Sequence, residues 1–119
     1  TDSERFFAAL ITQARHCGGA LVTAFAKTVR DVEPFKYSSI NSLALTGSHL
    51  YALSQHREER RPAGTDRDYY DLNWTDAGGI TTAWSSGVSD KSGIKLPSGS
   101  LLVVEVATGK SEVIDLATV

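Results

Sequence analysis

The sequence predicts an α+β fold in which a helical hairpin precedes about six mostly antiparallel strands. Apolar residues recur at helical spacing up to residue 32, and at the alternating spacing of strands from about Ile40 onward. Short turn signals separate the elements, with Gly18-Gly19 between the two helical stretches and Gly47-Ser48 between the first two strands. A chain of 119 residues has the usual size of one domain, so we expect residues 1–119 to lie within a single domain.

The two helices are predicted from capping signals and apolar stripes. Thr1 and Glu4 have the spacing of a capping box, which indicates that the first helix begins at once. Gly18-Gly19 ends this helix, and Pro34 ends the second. The short Gly-Gly link predicts an antiparallel hairpin. The apolar faces that would pack are Phe7, Leu10, Ile11 and Ala14 in the first helix, and Leu21, Val22, Phe25, Ala26, Val29 and Val32 in the second.

Six strands are predicted in the remainder of the chain. The stretches that alternate or carry strand-forming residues are 42–46, 49–55, 69–74, 80–85, 100–106 and 111–116. Gly47-Ser48 predicts a two-residue hairpin turn, and a turn is also expected at 75–79. The charged stretch 56–68 and the Gly-, Ser- and Lys-rich stretch 87–98 are predicted to be exposed loops.

Two strands are apolar on both alternations. Residues 101–104 read Leu-Leu-Val-Val and residues 43–45 read Leu-Ala-Leu, a pattern typical of strands covered on both faces of a sheet. The helical hairpin can cover one face only. We therefore expect a further layer from elsewhere, either from a segment missing from this chain or from a partner. The alternative is a two-layer sandwich in which the sheet curls on itself.

Composition excludes several classes of function. The net charge is -2, with 12 Lys and Arg against 14 Asp and Glu, so we expect no nucleic-acid partner. The longest apolar runs have four to six residues, so we expect no membrane span. The lone Cys17 excludes an internal disulfide and favours a reducing, cytoplasmic compartment. The chain has no methionine and opens with Thr1, so we expect it to be part of a larger domain.

Most candidate catalytic residues have a structural explanation. An N-terminal Thr1 could act as a nucleophile with its own amine as base, but it also serves as a helix cap. His16 and Cys17 are neighbours on a helix and point about 100° apart, so they do not face each other as a dyad. Together with His49 and His56, they show no ligand spacing that would predict a metal site.

Asp2 is the most informative of the candidate site residues. A carboxylate in the first turn of a helix is stabilised by the helix dipole, which is a structural reason for its position. The same carboxylate could bind the ammonium group of a ligand. Residue spacing alone leaves both interpretations open.

The ordered set of motifs resembles the C-terminal half of a class II glutamine amidotransferase domain, of the compact stand-alone type. Thr1-Asp2-Ser3-Glu4 matches the segment that opens a helix in this family. The Tyr-Ser-Ser-Ile-Asn tract at 37–41, continued to residue 53, matches the next motif. The remaining matches are the segments 69–72, 80–86 and 97–104.

The resemblance implies part of a four-layer αββα N-terminal-nucleophile hydrolase fold. In the family, an N-terminal Cys attacks the side-chain amide of glutamine or of a γ-glutamyl compound, and no cofactor is used. The motif matched by Asp2 binds the substrate α-ammonium, and Ser3 is a second substrate-binding candidate. The implied partners are the small-molecule amide and the N-terminal half of the domain, or a self-associating copy of this chain.

This chain departs from the family in several ways. It has no N-terminal Cys and no Asn-Gly pair for an oxyanion hole, and Ser85-Ser86-Gly87 replaces a Ser-Glu-Pro rim. No catalytic residue is therefore assigned to this chain, and we expect it to be inactive alone. Two alternatives remain: a non-catalytic binding module that uses an exposed sheet face, and a processed hydrolase that uses Thr1.

Overall fold

The fold is described by a computed structural model that covers residues 2–85 and 93–119. Helix α1 spans Asp2–His16 and helix α2 spans Leu21–Val32. Gly18 and Gly19 both have positive φ, and the Gly19 N–H donates to the Ala14 carbonyl at 2.8 Å. Glycine adopts this left-handed backbone without steric cost, so the predicted helical hairpin is confirmed. The predicted cap Thr1 and the rim residues 86–87 lie outside the described residues.

Seven strands form two antiparallel sheets in the described part of the chain, which confirms the α+β class. The large sheet has the order β1-β2-β6-β7, and the small sheet has the order β4-β3-β5. The strands are β1 Ser42–Leu45, β2 His49–Ser54, β3 Leu72–Ala77, β4 Ile80–Trp84, β5 Ile94–Leu96, β6 Ser100–Glu105 and β7 Ser111–Asp115. Short 3-10 turns occur at Glu58–Arg60 and Leu116–Thr118.

The small sheet differs from the prediction in three places: strand β5 and both ends of strand β3. Strand β5 lies inside the stretch predicted as a loop, because three residues are too short to give an alternation signal. Strand β3 begins three residues later than predicted. Gly78 and Gly79, both with positive φ, form the whole turn to β4, so the strand extends to the Ala77–Ile80 pair.

One face of the large sheet packs against the helical hairpin. Phe25 of α2 is fully buried, and its ring centroid lies 5.9 Å from that of Tyr51 on β2. Helix α1 contributes Phe6 and Leu10 to this cluster. The prediction that Phe7 packs was wrong: Phe7 is 62% exposed, because α1 is rotated so that Phe6 faces the core.

The small sheet covers the other face of the large sheet. Ala52, Leu102 and Val104 pack there against Leu72 and Leu96 of the small sheet. The further layer therefore comes from this chain itself, which corrects the expectation of a missing segment or a partner. The sheet also does not curl on itself, because a separate sheet packs against it. The described elements form three layers: helices, large sheet and small sheet.

Arg57 fixes the end of α2 to the sheet. Its guanidinium donates to the carbonyls of Phe35 at 2.7 Å and Glu33 at 2.6 Å, and lies 3.9 Å from the centroid of the Tyr37 ring. Gln55 Nε2 donates to the Tyr37 hydroxyl at 2.9 Å. Cationic side chains satisfy the unpaired carbonyls at a helix C-terminus. Arg57 is thus not the freely solvated loop residue that was predicted, and it positions the segment that follows Tyr37.

Candidate functional site

A groove of about 550 Å³ lies between α1 and the edge strand β1. Its volume is within the range of small-molecule sites. Both predicted substrate-binding residues, Asp2 and Ser3, line it. The groove also includes Ser39, Asn41 and Ser42. The structure therefore brings together parts of two of the segments on which the family resemblance was based, the opening of α1 and the tract that begins at residue 37.

Helical spacing explains how α1 presents Asp2 and Ser3. Ser3, Phe7 and Leu10 lie three and four residues apart, so they share one strip of the helix surface, and all three line the groove. Asp2 and Glu4 place acidic charge in the first turn, where the unpaired backbone N–H groups favour it. Asp2 and Ser3 are exposed, so a ligand can reach both.

Asn41 shapes the groove. Its Oδ1 accepts from the Gln55 N–H at 2.7 Å, and its Nδ2 donates to the Tyr70 carbonyl at 2.8 Å. These bonds tie the start of β1 to the end of β2 and to the segment before β3. Because both ends of the amide are occupied, we assign Asn41 a positioning role.

Ser42 provides an unpaired hydroxyl next to Asn41. Its Oγ is buried and has no hydrogen-bond partner among the described residues. Buried polar atoms are nearly always paired, and an exception calls for an explanation. Because this oxygen has almost no accessible surface, a ligand in the groove would reach it only after a local rearrangement of the segment around Ser42.

A second, smaller groove of about 300 Å³ shares Asp2 and brings cationic groups beside it. Arg5 and Lys36 line this groove together with Phe35 and Tyr37. The pair Asp2 and Arg5 has i, i+3 spacing on α1, a signal that could have been found from sequence. Lys36 comes from the loop after α2, and no local pattern predicts its position. The arrangement offers an anion and two cations, which suits a zwitterion such as an amino acid.

A third groove carries charged groups that are largely paired with each other. Lys95 Nζ lies 3.1 Å from Asp71 Oδ1, and Arg61 Nε lies 2.5 Å from Glu58 Oε1. His56 lines the same groove, and its Nδ1 is buried with no hydrogen-bond partner in residues 2–85 and 93–119. Burial lowers the pKa of His56, against smaller opposing effects of Asp71 and Glu58. Because these ion pairs are internal, we interpret this groove as structural.

The lowered pKa of His56 predicts that the protein becomes less stable in mild acid. Its pKa is lower in the folded protein than the value of about 6.5 in an unfolded chain, so the unfolded state binds the proton more tightly. The stabilising effect of the neutral ring is complete above pH about 6.5 and is lost as the pH falls toward the folded-state pKa. Urea unfolding of wild type and His56→Gln should therefore show a smaller acid-induced loss in the variant. Identical pH slopes would contradict this assignment.

The other candidate residues do not converge on a site. Cys17 is half-buried at the end of α1, and His16 beside it is exposed. His49 Nδ1 lies 2.7 Å from Ser48 Oγ in the β1–β2 turn. Within residues 2–85 and 93–119, no three His, Cys, Asp or Glu side chains cluster in a way that could hold a metal ion.

Comparison of the chain with protein-family models, curated proteins and solved structures gave no match. In the part of the chain that the structure describes, neither helix has the length and apolar character needed to cross a membrane.

Proposed function

We propose that this chain is the C-terminal portion of a class II glutamine amidotransferase-like domain with the four-layer αββα fold of N-terminal-nucleophile hydrolases. The complete domain would hydrolyse the γ-amide of glutamine or of a γ-glutamyl compound. This portion contributes the scaffold and binds the substrate α-ammonium through Asp2, with Ser3 beside it. The observation that carries the proposal is that Asp2, Ser3 and the segment 39–42 all line one groove.

The layer order supports the proposal. Helices, large sheet and small sheet stack in this order in the described residues, as three of the four proposed layers would. The second helix layer would cover the outer face of the small sheet and would come from the rest of the domain.

In the proposed reaction, the N-terminal portion of the domain supplies the nucleophile and this chain binds the substrate. The N-terminal Cys of the other portion would attack the amide carbon of glutamine, the C–N bond would break, and ammonia would leave. Water would then hydrolyse the thioester to glutamate and free thiol. Asp2 would hold the α-ammonium by a charge-assisted contact that fixes the position of the amide.

Removal of the Asp2 charge should weaken binding of L-glutamine to this chain about tenfold, since hydrogen bonds between charged groups contribute about 1.5–3 kcal/mol and Asp2 is exposed. The measurement is a titration of wild type and Asp2→Asn, followed by NMR shifts of groove residues. Glutaramic acid, which is glutamine without its α-amino group, should bind both proteins equally. Asp76→Asn alters an exposed aspartate on β3 and serves as the matched control.

Equal glutamine affinities of wild type and Asp2→Asn would contradict the role of Asp2. No glutamine binding by wild type would contradict the substrate-binding role of this portion. A second experiment addresses the reaction itself. The chain is mixed with the N-terminal half of a class II glutamine amidotransferase, and glutamate release is measured. An assembled complex with no glutaminase activity would argue against the proposed function.

A non-catalytic binding module is the second candidate function. Phe7, Leu43 and Leu45 are all exposed near one groove, and clustered apolar side chains on a surface indicate an interaction site. This function predicts that glutamine causes no shifts, whereas a protein partner protects these three residues. The titration of wild type with glutamine therefore separates the two candidates.

A further inference from the structure

Strand β1 is an edge strand with little protection against pairing. Among the strands that the structure describes, it pairs with β2 alone, and its sequence Ser-Leu-Ala-Leu contains no charge and no proline. Leu43 and Leu45 are largely exposed. Natural edge strands usually carry charges, prolines or bulges that prevent pairing with another chain. The opposite edge of the large sheet, β7, does carry Glu112 and Asp115.

The hydrogen-bond pattern shows which backbone groups of β1 are open. The Ile40 N–H donates to Gln55 at 2.9 Å, and the Thr46 N–H donates to His49 at 2.9 Å. Bonded pairs alternate along an antiparallel ladder, so Ser42 and Ala44 also bond to β2. The N–H and C=O groups of Leu43 and Leu45 therefore point to the open edge.

Helix α1 lies beside this edge. Its first residue, Asp2, lines two grooves together with Ile40, which precedes β1, and residues of α1 up to Ile11 line the larger groove together with β1. We infer from this that α1 and β1 run in the same direction. The helix has acidic residues in its first turn and basic residues in its last, Arg15 and His16. Phe7 is exposed on the same side as the groove.

We propose that a second copy of this chain pairs with β1, antiparallel and about a two-fold axis at Leu43. The two large sheets then form one continuous sheet, with Leu43 opposite Leu43 and Leu45 opposite Asn41. The two-fold axis is perpendicular to the sheet, so both α1 helices lie on the same side and run antiparallel. Phe7 of each copy lies between them.

Charge complementarity favours a copy of this chain as the occupant. Antiparallel α1 helices bring Glu4, in the acidic first turn of one copy, toward Arg15 in the last turn of the other, on the same side of the helix as Phe7, and the helix dipoles are opposed. The net charge of -2 gives little overall repulsion between copies. The interface is isologous, as in most homodimers. Because the two β1 strands pair with each other, no third copy can add to the sheet at β1.

The first test measures the oligomeric state by sedimentation equilibrium and by light scattering after size-exclusion chromatography. Wild type should be a dimer whose association weakens with added salt. Leu43→Lys should weaken association at least about tenfold, because it places two like charges opposite each other at the axis. Ile80→Lys is the matched control: Leu43 is 62% exposed and Ile80 is 68% exposed, and Ile80 lies on the edge strand β4. The control should remain dimeric.

The second test locates the axis by cross-linking. Bonded pairs in an antiparallel ladder have Cα atoms about 5.5 Å apart, a separation that a disulfide spans. Leu43→Cys in a Cys17→Ser background should form a disulfide-linked dimer on oxidation, and Ile80→Cys in the same background should not. A monomer at all concentrations, a dimer unaffected by Leu43→Lys, or equal cross-linking at both positions would overturn the proposal. None of these measurements depends on glutamine binding.

Discussion

Phe25→Ala should lower the free energy of unfolding by about 3–5 kcal/mol, the usual cost of truncating a buried phenylalanine. Phe25 is fully buried between α2 and the large sheet, next to Tyr51, Leu53 and Leu101. The variant loses the burial of a large ring and leaves a cavity that backbone elements on both sides keep open. Urea denaturation followed by circular dichroism and by tryptophan fluorescence measures this loss.

Phe7→Ala is the matched control for this prediction. The change removes the same atoms from the other helix of the hairpin, at a side chain that is 62% exposed. Surface substitutions of this kind change stability by about 0.5 kcal/mol or less. The comparison is made at concentrations where the chain is monomeric, because Phe7 belongs to the proposed dimer contact. Similar losses in both variants would contradict the burial of Phe25 or the exposure of Phe7.

Leu96→Ala should lower the free energy of unfolding by about 2–5 kcal/mol, although the residue lies in a strand of three residues. Leu96 is fully buried, and it packs with Leu72 against Ala52 and Leu102 of the large sheet. The size of this effect depends on the small sheet covering the large one. The change leaves the hydrogen bonds to the backbone of β5 in place. One of them is donated by Ser54 Oγ to the Leu96 carbonyl at 3.1 Å.

Ile94→Ala tests whether the burial of a side chain in β5 determines how much its truncation lowers the free energy of unfolding. Ile94 lies two residues before Leu96, so its side chain is on the same face of β5, yet it is largely exposed. We expect a small change in the same unfolding assay, as for other surface positions. Equal losses for Ile94→Ala and Leu96→Ala would mean that the small sheet does not lie over Ala52 and Leu102.

Elements with strong local signals were predictable from sequence. The helical hairpin follows from two apolar stripes and Gly18-Gly19, and the β1–β2 hairpin follows from Gly47-Ser48. Strand β5 was not predictable, because three residues in a Gly- and Ser-rich stretch carry no measurable alternation. The start of β3 was placed early because Tyr69 and Tyr70 have high strand propensity, but both lie in turns before the strand.

In the candidate site, too, some residues were predictable from sequence and others were not. Asp2 and Ser3 were predicted as site residues because the opening segment resembles a family motif, and capping spacing, a local feature, predicted that they begin a helix. Their neighbours Lys36 and Ser42 were not, since these residues reach the grooves only when α1 packs beside β1. The role of Arg57 was also missed, because its partners are carbonyls at the end of a helix more than twenty residues earlier.

The sequence by itself determined both helices, six of the seven described strands, the two hairpins and the acidic start of α1, because each depends on interactions between residues close in the chain. The tertiary structure alone decided that Phe6 rather than Phe7 is buried, that the small sheet supplies the third layer, and that β1 is left as an open edge. These outcomes depend on contacts between residues far apart in the chain. Several arrangements satisfy the same local pattern, and only the packing of complete layers selects among them.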